Sequence, residues 1–245
     1  MTRLRPLGEV DKEILKDDKW IRGGIIPFYQ SNVQSWDPRL EAEETERESG
    51  RPIHTSSIEP GQRIYGMAID HNTGGLTDFG GRREPYDEDI VATALREYQE
   101  ESYDVFFNPP LTREDLFKDG LVLMTQYQTY NDEGDSVMAG LLEIFMPLDK
   151  FDKDPLIETH KISQLFDEMR KLDENPENDA IIWIPQSILL NEGVLLSKFE
   201  GILPKRLSSS YLSKKKHNFD ISSQNQSETI LHPQLLKLFQ DNLMR

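Results

Sequence analysis

Three glutamates, Glu97, Glu100 and Glu101, fall within five residues near the middle of the chain. They end a run, from about residue 87 to 102, in which apolar residues recur with the period of an α-helix. At about 100° per residue the three acids share one helix face. The apolar stripe, about a right angle away, consists of Ile90, Val91, Ala94, Leu95 and Tyr98. The pattern predicts a helix that buries one side and exposes three acids on another.

Such crowding of acids carries an energetic cost. Like charges three and four residues apart destabilise a helix by about 0.2–0.5 kcal/mol per pair. Arg96 is spaced to pair with Glu100, but it can neutralise only one of the three negative charges. A divalent cation could interact with all three carboxylates. Mg²⁺ binds carboxylate oxygens together with waters and substrate phosphates. The spacing therefore indicates a cation site, and the alternative is a solvated acidic helix face.

The acids belong to a longer pattern. Seven residues separate Glu88 from the segment 96–101, which reads Arg-Glu-Tyr-Gln-Glu-Glu, and Gly80, Gly81 and Glu84 precede it. In order and spacing, the stretch from 80 to 105 resembles the Nudix box, G-x5-E-x7-R-E-U-x-E-E-x-G-U, where U is a bulky apolar residue. The strand, turn and second strand expected before the paired glycines agree with this resemblance.

The stretch departs from the family pattern at two places. Six residues, rather than five, separate Gly81 from Glu88, and Tyr103 stands in place of the last glycine of the box. That glycine closes the helix in a left-handed conformation, which costs a tyrosine about 1 kcal/mol or more. We therefore expect the helix either to continue past this point or to end differently.

The resemblance implies an α/β fold, a Nudix-type α/β/α sandwich with a mixed β-sheet. It also implies a site for Mg²⁺ or Mn²⁺, held by Glu97, Glu100, Glu101 and a backbone carbonyl, that of Gly81 or of Gly80. Arg96 matches the arginine that orients a neighbouring glutamate. The other assigned positions are the substrate-binding Arg82 and Arg83 and the structural or additional positions Gly80, Glu84 and Glu88.

The general base is left open between two sources. In some family members a glutamate of the box serves, which makes Glu100 a catalytic candidate here. In others it is an acid in the loop before the last core strand. That loop offers Glu174, Glu177 and Asp179, and Glu177 is preferred for its distance from Trp183.

The resemblance implies hydrolysis of a phosphoanhydride bond in a nucleoside diphosphate linked to another moiety, by attack of water at phosphorus. The family's substrates include nucleoside triphosphates, nucleotide sugars, dinucleoside polyphosphates, ADP-ribose, capped RNA and inositol pyrophosphates. A small nucleotide is favoured over capped RNA because the chain is acidic. Two alternatives remain: a catalytically silent Nudix-fold binding module, and an acidic helix that is only a protein-interaction face.

Composition narrows the function classes further. The formal net charge is −16, and an acidic surface repels nucleic-acid backbones. The absence of cysteine excludes disulfides and cysteine metal sites. No run of about 18 apolar residues occurs, and the N-terminus has no apolar signal region, so a cytoplasmic protein without membrane contact is expected. The oligomeric state is open, with a homodimer among the states to be tested.

The domain organisation is read from strands, loops and polar stretches. Residues 1–19 are predicted to be peripheral, 20–206 to form the Nudix domain with a polar insertion at 31–61, and 207–245 to form a flexible segment and a C-terminal helix. Strands are predicted at 20–29, 63–70, 121–130, 137–146 and 180–185. Pro27 and the glycines before it suggest that the first strand is an edge strand or carries a bulge.

Overall fold

A computed structural model of the chain describes residues 4–30, 63–71, 76–130, 135–148 and 155–186. The predicted insertion at 31–61 and the predicted C-terminal segment at 207–245 lie outside the described residues. The described strands are β1 (Arg5–Pro6), β2 (Trp20–Gln30), β3 (Arg63–Asp70), β4 (Leu76–Thr77), β5 (Phe79–Arg82), β6 (Leu121–Tyr130), β7 (Ser136–Pro147) and β8 (Asn178–Pro185). The described helices are α1 (Lys12–Lys16), α2 (Ile90–Ser102), α3 (Arg113–Asp119) and α4 (Pro155–Arg170), with a short 3-10 helix at Leu7–Glu9.

The chain divides into two compact units. The described residues of the first are 4–28, 78–130 and 135–148, and those of the second are 29–30, 63–71, 76–77 and 155–186. None of the described helices is both long enough and apolar enough to cross a lipid bilayer.

The sheet of the first unit follows the order β1–β6–β7–β2–β5. Only the β7–β2 pairing is parallel, so the sheet is mixed, and with its helices it confirms the predicted α/β class. The long β6–β7 ladder runs from Leu121↔Phe145 to Tyr130↔Ser136, as the two predicted strands require. Parallel and antiparallel neighbours meet at β2, whose first residues lie beside the acidic helix.

Of the two alternatives for β2, the edge strand was wrong, because β2 lies between β7 and β5. The other alternative, a bulge, agrees with a register shift between Trp20 and Arg22. The β5 pairing ends at Ile25, two residues before Pro27.

The N-terminal residues, predicted to be peripheral, contribute to the core of the first unit. Leu7, Val10 and Leu15 are buried, because β1 pairs with β6 and Leu7 N donates to Gly120 O at 2.8 Å. Trp20 Nε1 donates to Ile14 O at 2.6 Å and closes this segment onto β2. The segment is rich in charged residues, but its apolar side chains at these three positions are buried.

The second unit is an antiparallel sheet, β4–β3–β8, with α4 packed on β8. Its core includes Tyr65, Phe166 and Ile184, and the Tyr29 and Trp183 rings lie 5.7 Å apart. The strand predicted at 180–185 is confirmed as part of β8.

Candidate functional site

The acidic helix α2 begins at Ile90, and Asp89 is its N-cap. The Asp89 carboxylate accepts hydrogen bonds from Val91 N at 3.0 Å and Ala92 N at 2.9 Å, which satisfies two N–H groups that the first helical turn leaves without carbonyl partners. Arg113 of α3 pairs with the same buried carboxylate. Burial opposes ionisation of Asp89, but the bonds from Arg113, Ala92 and Val91 outweigh it and lower its pKa. The start of the helix is therefore fixed by the Asp89 cap, whose buried charge Arg113 balances.

One face of α2 packs against β5 and β2. The Tyr98 ring meets Phe79 of β5 edge-on at 6.0 Å, and Phe106 closes the cluster. A Cβ on Gly23 would lie 2.7 Å from Ile90 O, so the absence of a side chain there lets the helix approach β2. The predicted apolar stripe is confirmed at Ile90, Val91, Ala94 and Tyr98, which are all buried.

The helix ends at Ser102, and Tyr103 takes the left-handed conformation with φ 54° and ψ 26°. It thus adopts the backbone geometry that the family pattern gives to glycine, and it does so in spite of its side chain. Both predicted outcomes, continuation past Tyr103 and a different kind of ending, are therefore wrong.

The loop between β5 and α2 is organised by Asp87, which the sequence analysis missed. Asp87 Oδ2 accepts from Glu84 N at 2.9 Å and Thr93 Oγ1 at 3.0 Å, and both carboxylate oxygens accept from Arg96 at 3.1 Å. Burial opposes the charge of Asp87, but these hydrogen bonds outweigh it and lower its pKa. Glu88 beside it is exposed.

The spacing of Asp87 explains the extra loop residue. Five residues separate Gly81 from Asp87, which is the interval that the family pattern places between its glycine and glutamate. The additional residue then falls between Asp87 and Arg96. The structural role that the resemblance assigned to Glu88 therefore suits Asp87 better, and an additional metal-ligand role for Glu88 stays a prediction.

Arg96 connects three carboxylates. It pairs with Asp87 at 3.1 Å, Glu97 Oε1 at 2.8 Å and Glu100 Oε2 at 3.1 Å, and it donates to Arg82 O at 3.2 Å. The hydrogen bond to Asp87, followed by the charge of Glu97, raises the pKa of Arg96 above its ordinary value, against the effect of burial. One guanidinium thus offsets the mutual repulsion of Glu97 and Glu100.

Glu101 and Glu97 also contact the paired glycines of β5. Gly80 N donates to Glu101 Oε2 at 2.9 Å. A Cβ on Gly81 would lie 2.6 Å from Glu97 Oε1, so the strand passes directly against the Glu97 carboxylate. Glu97 is 12% exposed and Glu100 58% exposed, which gives the helix one enclosed acid and one open to solvent.

The donor set suits a hard divalent cation, because it consists of carboxylate oxygens beside a strand end without side chains. Within the ranges that the structure describes, however, no group of three or more His, Asp or Glu side chains is arranged to hold a metal ion. Glu97 and Glu100 are turned toward Arg96, and Glu101 toward Gly80. The predicted metal set of Glu97, Glu100, Glu101 and Gly81 stays a prediction.

A buried ion cluster lies behind Gly80. Arg22 of β2 donates to Asp78 at 2.6 and 2.8 Å and to Glu143 Oε1 of β7 at 2.9 Å. Asp78 is 0% and Glu143 1% exposed. Burial, followed by the Asp78 carboxylate, raises the pKa of Glu143 well above its ordinary value, against the effect of Arg22. Arg22 and Glu143 interrupt apolar strands, and that interruption was the sequence signal that could have revealed the cluster.

The predicted substrate-binding arginines take different positions. Arg82 is exposed, and its carbonyl accepts from Arg96. Arg83 donates to Lys16 O at 3.3 Å and Asp17 O at 3.1 Å, and its N–H donates to Ile21 O at 3.0 Å. Arg83 therefore anchors the end of α1, and substrate binding by either arginine stays a prediction.

Glu177, the predicted base from the loop before β8, belongs to the second unit. Its carbonyl accepts from His71 N at 2.7 Å, while His71 Nδ1 lies 2.8 Å from Asp179 Oδ1. The role of general base, whether it belongs to Glu100 or to Glu177, stays a prediction.

Comparison with known proteins gives matches only among solved structures. No family model matches the chain, and no curated protein does. This chain is similar to a Nudix hydrolase of known structure. That protein is RenU of M. smegmatis, at 9% identity and a TM-score of 0.32, covering 85% of this chain and 92% of RenU. An Ap4A hydrolase of C. elegans matches at 10% identity and a TM-score of 0.29, covering 81% of this chain and 97% of that one. Similarities this weak do not define an activity, so the inference depends on the contacts within the chain itself.

Proposed function

We propose that this chain is a metal-dependent hydrolase of the Nudix type, which cleaves a phosphoanhydride bond in a nucleoside diphosphate linked to another moiety. Residues 20–206 are proposed to form its hydrolase domain. The observation that carries the proposal is the meeting of the acids of α2 with the paired glycines of β5, where Gly80 N holds Glu101 and Gly81 lies against Glu97.

Glu97, Glu100 and Glu101, with the carbonyl of Gly81, would hold Mg²⁺ or Mn²⁺. Bound there, the cation would neutralise phosphate charge and lower the pKa of a bound water. Arg96 supports this role because its contacts at 2.8 and 3.1 Å restrain Glu97 and Glu100 on one side of the helix. Its additional bonds to Asp87 tie those acids to the loop, so the acids are held in position before any substrate arrives.

The substrate favoured by the acidic chain is a small nucleotide rather than a nucleic acid. With a formal net charge of −16, the protein repels a polyanion, while the charge of a small nucleotide can be neutralised by one cation. Glu100, the most exposed of the three acids, and Glu177 are the two candidates for the general base.

The experiment measures product release from nucleoside triphosphates, nucleotide sugars, dinucleoside polyphosphates, ADP-ribose, inositol pyrophosphates and capped RNA, with Mg²⁺ or Mn²⁺. Glu101→Gln should lower kcat/KM on the best substrate by at least about a hundredfold. Glu114→Gln, which alters an exposed acid of α3, is the matched control and should behave as wild type.

Absence of cleavage across the whole panel, with Mg²⁺ binding by calorimetry intact, would contradict the hydrolase and favour a silent binding module. Absence of both cleavage and metal binding would contradict the hydrolase and the metal-binding module, and would favour the acidic helix as a protein-interaction face. Cleavage of capped RNA alone would mean that capped RNA, rather than a small nucleotide, is the substrate.

A further inference from the structure

The buried cluster behind Gly80 contains more charge than a purely structural core needs. Two carboxylates and one guanidinium lie together, and Asp78 and Glu143 are almost completely inaccessible to solvent. Removing such groups from water costs several kcal/mol per ion, and well-packed apolar residues often serve a core as well. The burial of these charged groups therefore points to a role beyond packing.

The cluster is joined directly to the strand that carries the site. Besides its bonds to Asp78 and Glu143, Arg22 Nη2 donates to Gly80 O at 2.8 Å. On the other side of the same residue, Gly80 N donates to Glu101 Oε2 at 2.9 Å. Gly80 thus stands between a buried arginine and a helix acid, with one hydrogen bond to each.

Gly24 and Gly80 leave the space that the ion cluster occupies beside the strands. Gly24 is the β2 partner of Gly80, and a Cβ on Gly24 would collide with Asp78 Oδ2 and lie 2.9 Å from Glu143 Oε2. A Cβ on Gly80 would lie 2.6 Å from Asp78 Oδ2. Two glycines therefore let the ion cluster lie directly against the paired strands.

Arginine is suited to the central position because its planar guanidinium has five donors in a fixed arrangement. Here it serves Asp78, Glu143 and the Gly80 carbonyl at once. A lysine carries the same charge, but its single ammonium group cannot reproduce the bidentate hydrogen bonding to Asp78.

We propose that Arg22 is a positioning residue for the reaction, which, held by Asp78 and Glu143, fixes Gly80 and through it the place of the Glu101 carboxylate. This inference rests on the proposed function. The opposing account is that the cluster only stabilises the fold, and the two accounts differ in what a conservative change should do.

The test compares Arg22→Lys with Arg113→Lys. Arg113 is the matched control, since it is also a partly exposed arginine paired with a buried carboxylate of the first unit, and its hydrogen bonds go to Asp89. Arg22→Lys should lower kcat by about tenfold to a hundredfold with KM within about threefold, since a displaced acid affects the reacting geometry. Arg113→Lys should lower the melting temperature to a similar extent without this loss of kcat, because Asp89 keeps its hydrogen bonds from Val91 N and Ala92 N and so still caps α2.

A second measurement needs no substrate and no metal. Hydrogen exchange of the Gly80 amide, followed by NMR with ¹⁵N-glycine labelling, should accelerate by at least about tenfold in Arg22→Lys and not in Arg113→Lys. If the hydrolase proposal fails, this result still decides whether Arg22 fixes Gly80. Equal Gly80 exchange in the two variants would overturn the inference.

Variants of Glu143 keep the test decisive if Arg22→Lys does not fold. Glu143→Leu removes the acceptor for Arg22 Nη1 and should reproduce the loss of kcat and the faster Gly80 exchange. Glu143→Gln keeps an acceptor oxygen and should restore most of both. Equal behaviour of the Leu and Gln variants, or a kcat that falls only in proportion to unfolded protein, would also overturn the inference.

Discussion

Gly81 offers a test of the site at a single residue. A Cβ there would lie 2.6 Å from Glu97 Oε1, at the far end of a side chain that can move. Gly81→Ala should therefore displace the Glu97 carboxylate while the sheet stays intact. We expect kcat/KM to fall by about tenfold to a hundredfold, because a displacement of about 1 Å near the reacting groups has effects of this size. The melting temperature should change little.

Gly80→Ala is the informative contrast to this variant. Its Cβ would lie 2.7 Å from Gly23 O, which is backbone of the neighbouring strand and cannot turn aside. This variant should lose stability as well as activity. Wild-type kcat/KM in Gly81→Ala would remove the support for Glu97 as a site residue.

At the level of the element, the start of α2 is stabilised by the Asp89 cap, and Arg113 balances the charge of that cap. Asp89→Ala removes the acceptor for two backbone N–H groups and leaves Arg113, 30% exposed, without its carboxylate partner. We expect a loss of about 2 kcal/mol in the free energy of unfolding, since a lost N-cap costs about 1 kcal/mol and the solvent screens part of the Arg113 charge. For a chain of this size that is a fall of roughly 4–8 °C in melting temperature.

The pH dependence of this effect has a definite sign. Because the folded-state pKa of Asp89 is lowered, its stabilising contribution is complete above the unfolded-state value of about 4 and is lost as the pH falls through the folded-state value. The difference between wild type and Asp89→Ala should thus be full at pH 7 and shrink below about pH 4. Asp89→Asn, which keeps an acceptor oxygen, should lose about half as much. An equal loss in both variants would contradict a role for the cap itself.

Local patterns explain which elements could be predicted. The helix α2 and strands β2, β6 and β7 follow from apolar periodicity and turn residues, which depend only on neighbours in sequence. The exit of α2 could not be predicted, because the packing of Tyr98 and Phe106 around the helix end is tertiary. The burial of the N-terminal segment is tertiary in the same way, since it depends on β6, more than a hundred residues away.

The sequence singled out the acids of the proposed site but not the residues that contact them. Glu97, Glu100 and Glu101 could be singled out because their spacing is local, and their role in binding a metal stays a prediction. Arg22 could not, because its partners lie 56 and 121 residues away. Asp87 was missed for another reason. The spacing to Arg96 fits Glu88, and only the turn between Glu84 and Asp87 determines which acid is turned inward.

For the molecule as a whole, a formal net charge of −16 means that the folded chain repels itself. Screening weakens this repulsion, and the screening length is about 8 Å at 0.15 M salt. NaCl should therefore raise the melting temperature of the wild type and of all site variants alike. This general effect has to be separated from that of a specific metal site, because any cation contributes to screening.

Mg²⁺ at the same ionic strength should raise the wild-type melting temperature further than NaCl does. At a hundredfold excess over the dissociation constant, one site that binds only the folded state adds about 2.7 kcal/mol. That corresponds to roughly 5–11 °C for a chain of this size, and EDTA should reverse it. Glu101→Gln should lose this excess and keep the NaCl response, whereas Glu114→Gln should keep both. The same rise with Mg²⁺ and NaCl in the wild type would mean that the acids of α2 bind no cation specifically, and that their charge is compensated by Arg96 and the Gly80 amide alone.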